Sequence, residues 1–421
     1  MKTTSALFDA YLKCPTKCYL RSTGQAGSGN AYAEWVRDQN EAYRIEAAQR
    51  LMAALPDGER AITMPSGPNL RTATWRLAVD LPVQAGDMES RLQAVERVPS
   101  QGRGRPAQFI PVRFVFFNKL TKHDRLLLAF DALALSEVLG REVSAGKIVH
   151  GDDHATLKLK IPGLLNATRR LINDATALLA ARSPPDRILN RHCGECEFRD
   201  GCRQKALEKD DLSLLGGLTE KERKDYASKG IFTVRQLSYT FRPRRRPKRF
   251  RDKKEKYHHS LRALAIRENK VYLVGEVDLK LDGTLVFLDV EGIPDRDFYY
   301  LIGVRVGTGE SAIQHSFWAD GPSEGRTIWH QFLETLGCLE NPVLVHYGSY
   351  ETTFMKRMGE RYGLPQPDSP AGKAVQSATN LLSYIFARIY LPTYTNGLKE
   401  IAAWLGYAYT QKDPSGARAI E

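Results

Sequence analysis

The stretch Leu285-Val-Phe-Leu-Asp289-Val-Glu291-Gly292 constrains this chain more than any other. An apolar run leads into Asp-Val-Glu, and Gly292 and Pro294 close it. A run of this length between breakers reads as a buried β-strand. Side chains alternate along a strand, so Asp289 and Glu291, two apart, share a face. Two carboxylates side by side on a buried strand repel one another and are costly to desolvate. A divalent cation between them removes that cost, and Mg²⁺ and Mn²⁺ prefer such hard oxygen ligands. The alternative reading is a strand whose acidic end simply lies in solvent.

With 421 residues, the chain is long enough for two or three domains with their own cores. Its 42% apolar and 26% charged residues are those of an ordinary soluble protein. No apolar run approaches the roughly 18 residues that span a membrane. The start, Met-Lys-Thr-Thr-Ser-Ala-Leu-Phe-Asp, lacks the apolar centre of a signal peptide. A cytoplasmic protein with no membrane partner is expected. The sequence has no GxxxxGK(S/T) phosphate loop and no dinucleotide fingerprint, so no ATP-driven role follows.

Along the chain, Trp35, Tyr43, Ala47 and Leu51 mark a helix, and residues 73–79, 92–98 and 109–117 read as strands. Residues 125–139 are mostly apolar and long enough for a buried helix, ended by Gly140 at a natural C-cap. Residues 147–151 and 156–161 predict a hairpin, with His150 and His154 as satisfied polar residues near it. A helix over about 165–181 leads to Pro184-Pro185. Between Asp211 and Leu237, two short helices around glycine turns are similar to helix-hairpin-helix modules, whose turns hold phosphates. A plain helical linker fits the same residues.

Asp289-Val-Glu291 on a strand resembles the first motif of the DnaQ-like (DEDD) exonucleases, which have the ribonuclease H-like fold. Val343-Leu-Val-His-Tyr-Gly-Ser-Tyr-Glu351 is similar to their second motif, with Glu351 where Asp is usual. The third motif falls near Asn380, where many relatives have Asp and an amide brings no charge. A fourth acid would follow the segment Leu398–Gly406 by several tens of residues, beyond Glu421, so the domain looks cut short. The resemblance implies metal-dependent phosphodiester hydrolysis in the 3′→5′ direction. Asp289 and Glu291 would be the metal ligands, with Glu351 binding a second ion or positioning the water. His346, just before the second motif, could face this site or be structural.

The six cysteines are Cys14, Cys18, Cys193, Cys196, Cys202 and Cys338. In a cytoplasmic chain, clustered cysteines point to metal or cluster binding rather than disulfides. Cys193-Gly-Glu-Cys196 and Cys202 supply three thiols in one short stretch, and Cys14 is the obvious fourth ligand. This arrangement resembles the iron–sulfur RecB-type exonucleases, where one N-terminal Cys-Pro and three later cysteines staple a PD-(D/E)XK nuclease domain. The resemblance implies a 4Fe–4S cluster on Cys14, Cys193, Cys196 and Cys202, with zinc as the alternative. Where that family has Pro-Val-Glu-Tyr-Lys, this chain has Pro111-Val-Arg113-Phe-Val115. Gln93 stands where an Asp would bind metal, and Leu127 where a Gln is expected. A site without its carboxylates cannot activate a bound water, so the N-terminal nuclease site is expected to be inactive.

The net charge of +12 is unevenly spread: residues 242–256 hold ten Lys or Arg against two acids. Arg242, Arg244, Arg245, Arg246, Lys248, Arg249, Arg251, Lys253 and Lys254 make a strap suited to phosphates, or else a solvated linker. The fold class expected is α/β. Residues 1–208 form a restriction-endonuclease-like (PD-(D/E)XK) domain, and 209–262 a helical segment with the basic linker. Residues 263–421 form a ribonuclease H-like domain, apparently truncated. The function expected is that of a nuclease acting on DNA or RNA with Mg²⁺ or Mn²⁺. The competing reading is a non-catalytic nucleic-acid-binding protein or an inactive fragment.

Overall fold

The computed structural model describes residues 2–62, 70, 73–100, 102, 106–181, 183–243, 257–293 and 296–408. The chain divides into two compact units, Met1–Lys205 and Ala206–Glu421.

The first unit runs β1 (Thr3–Thr4), α1 (Ser5–Lys13), α2 (Pro15–Ser22), α3 (Ala31–Ala53), β2 (Arg60–Ile62), β3 (Leu77–Ala85), β4 (Met88–Val98) and β5 (Gln108–Val115). It continues through α4 (Lys122–Leu139), β6 (Ala145–His150), β7 (Ala155–Lys160) and α5 (Pro162–Ala180) to α6 (Arg199–Glu208), within which the second unit begins. The strands lie in the order β2-β3-β4-β5-β6-β7, with β1 beside β4. β3, β4 and β5 are antiparallel neighbours, and α4 carries the chain over to β6, parallel to β5. One face of the sheet packs on α4 through Leu128, Ala132, Leu135, Val95 and Ile148. The other packs on α3 through Tyr43, Ala47, Ala94, Val112 and Phe114.

Local chemistry sets the limits of these elements. α4 starts a turn before its apolar run because Thr121 and Asp124 cap it reciprocally. Gly140, at φ 66°, ends it in the left-handed conformation that glycine adopts without strain. The strand expected over 73–79 begins only at Leu77. In the middle of apolar α4, Asp131 is 1% exposed. It is held by the Arg113 guanidinium at 2.7 Å and by the Ser90 hydroxyl at 2.6 Å.

The second unit holds α7 (Glu220–Ser228), α8 (Val234–Ser238), α9 (His259–Glu268), β8 (Tyr272–Leu273), β9 (Thr284–Ile293), β10 (Phe298–Val306) and β11 (Ile313–Trp318). Then come α10 (Gly325–Gly337), β12 (Pro342–His346), α11 (Tyr350–Tyr362), α12 (Pro370–Gln376) and β13 (Thr379–Asn380). α13 (Leu381–Ile385), β14 (Ile389–Tyr390) and α14 (Leu398–Trp404) follow. Five strands are ordered β11-β10-β9-β12-β13. β9 is antiparallel to β10 and parallel to β12. Its Val286, Leu288 and Val290 enter a core with Ile302, Val304, Trp329, Phe332 and Phe354.

β9 differs from the expected buried strand: Val286, Leu288, Val290 and Ile293 are buried, while Asp289 is exposed and Glu291 half-buried. Yet it is a central strand: both acids are paired with β10, while its pairing with β12 ends at Phe287, just before them. Of the basic strap, Arg242 is exposed. Arg244, Arg245, Arg246, Lys248, Arg249, Arg251, Lys253 and Lys254 lie outside the described residues. No helix among the described residues is long and apolar enough to cross a membrane.

Candidate active site

Alternation along β9 puts Asp289 and Glu291 on the face opposite Val286, Leu288 and Val290. Burial, then the neighbouring Glu351 carboxylate, raises the Asp289 carboxyl from its ordinary value, and Lys399 opposes the shift. Asp289 keeps an open side to solvent, yet the protein around it still makes desolvation the first cause. The Glu291 carboxyl is raised by burial and then by Asp289, with Glu351 adding to the shift and Lys399 opposing it. Three carboxylates and one ammonium therefore act on one another here.

Glu351 reaches the group from the first turn of α11, directly after β12, and is 5% exposed. Its Oε2 lies 3.6 Å from Nδ1 of His346, the last residue of β12, which is itself buried. Neither of those atoms has a hydrogen-bond partner, and the buried Tyr350 hydroxyl also lacks one. A buried carboxylate oxygen without a donor is costly, and a cation is a partner that would satisfy it. Gly292 is required by close packing: a Cβ there would lie 2.7 Å from the Tyr350 hydroxyl.

Lys399 is a participant that sequence reasoning missed, and long-range bracing puts it in place. Arg262 of α9 is fully buried. It donates to the Thr393 carbonyl at 3.0 Å, the Thr393 hydroxyl at 2.9 Å and the Thr395 carbonyl at 3.2 Å, and also to Asn396. Tyr347, just past β12, donates its hydroxyl to the Asn396 carbonyl at 2.6 Å. The Glu400 carboxylate accepts from the Tyr394 and Thr395 amides. These contacts tie the start of α14, and with it Lys399, to the residue just past β12. Asn380 is committed elsewhere: its Oδ1 accepts from the Leu382 and Gly348 amides, each at 3.0 Å. It caps α13 and pins the loop before Glu351.

Among the described residues, no group of three or more His, Cys, Asp or Glu side chains is arranged to hold a metal ion unaided. Mg²⁺ usually takes one or two carboxylates, and waters and substrate phosphates complete its shell. Asp289 and Glu291 on one face, with the unsatisfied Glu351 Oε2 in electrostatic reach, fit that pattern.

The five cysteines of the first unit are free thiols, as is Cys338 in the second. Cys14 sits at the junction of α1 and α2, followed by Pro15 as the first residue of α2. Several contacts tie this junction to the later cysteines. Lys17 and Arg21 pair with Glu197 at 3.0 and 2.7 Å, Thr16 donates to the Asp186 carbonyl, and Asn190 donates to the Lys13 carbonyl. The Cys14 thiol bears on those of Cys193 and Cys202, and Cys193 on Cys196. Burial pushes the Cys193 and Cys196 thiols up, and that of Cys202 up to about 11. The four thiols are thus brought within electrostatic reach of one another, though among the described residues they form no closed metal cage. Cys18 is buried, its thiol pushed up to about 11 by burial and by Cys14.

Where metal ligands stand in the RecB-type pattern, Gln93 accepts from the Phe114 amide at 2.6 Å, and Arg113 is paired with Asp131. Glu96 is tied to Lys147. The two hairpin histidines are less well satisfied than expected: Nδ1 of each lacks a hydrogen-bond partner, although His154 stacks on Tyr43 at 4.7 Å.

Residues 286–421, about a third of the chain, match the family described as RNase_H superfamily. Residues 286–421 of the C-terminal unit are therefore RNase H-like, a class that suggests nuclease-type processing of nucleic acid. Such nucleases usually use Mg²⁺ or Mn²⁺. Among solved structures, "Crystal structure of SSO0001" matches at 13% identity, over 39% of this chain and 96% of that chain, with a TM-score of 0.21. No curated protein matches.

Proposed function

We propose that the C-terminal unit hydrolyses phosphodiester bonds of nucleic acid from a strand end, in the 3′→5′ direction. One observation carries the reading: Asp289 and Glu291 share the open face of a central strand and are electrostatically coupled to Glu351 and Lys399. Asp289 and Glu291 would hold Mg²⁺ or Mn²⁺, which supplies Lewis-acid stabilisation of the developing phosphate charge and a more acidic water. Glu351, kept in place by the buried His346, orients the attacking water. Lys399 favours the charged form of the two acids and offsets part of their mutual repulsion.

The N-terminal unit is, on the same reading, a RecB-type domain whose nuclease centre has been replaced. Its order of a helix, three antiparallel strands, a crossover helix and a parallel strand supports this, as does the buried Arg113–Asp131–Ser90 group. Cys14, Cys193, Cys196 and Cys202 would hold a 4Fe–4S cluster, or zinc. Clustered thiols kept for that purpose suit a reducing, cytoplasmic setting. Iron content and the visible absorption of protein purified without oxygen test the cluster.

The decisive experiment follows end-labelled single-stranded DNA and RNA with Mg²⁺ or Mn²⁺, beside Asp289→Ala. Metal-dependent shortening that disappears in the variant supports the reading. Shortening that survives moves the chemistry away from β9. A second reading, binding without turnover, draws on Asn380, whose side chain is engaged with backbone amides where an acid would be needed. Binding with no shortening under either metal would establish it.

A further inference from the structure

We infer that the exposed ring of Trp318 is a stacking platform for one base of a single-stranded nucleic acid whose backbone lies at Asp289 and Glu291. The inference rests on the nuclease reading above and adds where the substrate lies. Residues directly opposite on antiparallel strands put their side chains on one face of a sheet. Glu291 is opposite Leu301, and Leu301 is opposite Trp318. The next row joins Asp289, Gly303 and Ser316, and a further row joins Phe287, Arg305 and Gln314. These rows form the face turned away from the core helices. On its outer half Arg305, Gln314 and Ser316 are exposed, and Trp318 is 50% exposed.

A lone exposed indole needs no explanation. This one has a fixed pose and a chemical setting. Its ring lies against that of Tyr300, centroids 6.5 Å apart and planes 22° from parallel, so one side is backed and the other is presented. Gly303 leaves the floor between the acids and Ser316 without a side chain, over which a strand can pass. Arg305, on the same face, supplies cationic charge for a phosphate, and its Nη2 also donates to the Gly309 carbonyl. Adjacent strands are about 4.8 Å apart, so Trp318 is roughly 10 Å from Glu291, within the span of a dinucleotide. Stacking of this kind needs a free base face, which a single strand offers and a duplex interior does not.

The test is a double-mutant cycle on the full-length protein between Trp318 and the bases of the substrate. Affinities for short fluorescent single strands, DNA and RNA, are measured in EDTA, with one abasic residue walked through the first few positions from the end. Trp318→Ala should weaken binding of the intact strand about tenfold, and one abasic position should weaken wild-type binding by a similar factor. At that position the two losses should not add, and Trp318→Phe should recover most of the affinity. Additive losses at every position, or a Trp318→Ala protein of unchanged affinity, overturn the inference. Parallel turnover assays with Mn²⁺ and Asp289→Ala separate that failure from failure of the nuclease reading. A wild-type protein that neither binds nor shortens single strands ends both.

Discussion

Asp289 and Glu291 each feel opposing influences: burial and neighbouring carboxylates favour the protonated form, and Lys399 favours the charged one. In the metal-free protein the net effect is a folded-state pKa above the unfolded value. Stability from these groups is then fully present below the unfolded value and is lost as pH rises through the folded one. Asp289→Asn should therefore melt higher than wild type in EDTA at neutral pH, while losing turnover. Because Asp289 keeps an open side to solvent, screening limits the gain, which is read as a small rise in melting temperature. A variant that melts lower refutes the account. Lys399→Met acts in the opposite sense on the acids: without the ammonium their pKa values rise further, and the acid limb of the pH–rate profile moves to higher pH. A limb that stays in place removes Lys399 from the site. The shared face of Asp289 and Glu291 was legible from a period of two residues alone. Lys399 was not, because its position depends on Arg262 gripping a distant loop, and Leu-Lys-Glu at a helix start has no distinguishing pattern.

At the scale of elements, hydrophobic pattern and breakers foretold most of what positions the site. The limits of α4 and the alternation of β9 follow from a capping box, a left-handed glycine and a one-sided core. What pattern could not foretell was polar bracing between elements. Arg113 stood out as a departure from a metal-binding motif, but nothing in the sequence joined it to Asp131 in the middle of an apolar helix. That pair ties β5 to α4, with Arg113 16% and Asp131 2% exposed in their side chains. Arg113→Met should cost about 3–5 kcal/mol by leaving a buried carboxylate uncompensated. Adding Asp131→Leu should recover most of it, as thermal or urea unfolding would show; a double variant no better than the single one would mean that the pair is not the cause. Asn380→Ala removes a cap and the anchor of the loop before Glu351. Its expected cost is about 1 kcal/mol, read from the same unfolding curves.

The whole chain consists of two units with separate cores, and ligands should reveal them separately. Calorimetry should resolve two transitions. Mg²⁺ or Mn²⁺ should raise only the one that Asp289→Asn also raises, since a ligand stabilises the state that binds it. A single transition shifted as one would contradict that. β12 pairs with β9 only after β10, β11 and α10 have been made, and α14 follows later still. Such parallel, non-local pairing forms slowly. A chain emerging from its N-terminus thus displays both acids of β9 well before Glu351 and Lys399 exist. A nascent chain that ends just after β9 carries the two acids without two of the charged groups that act on them in the folded unit.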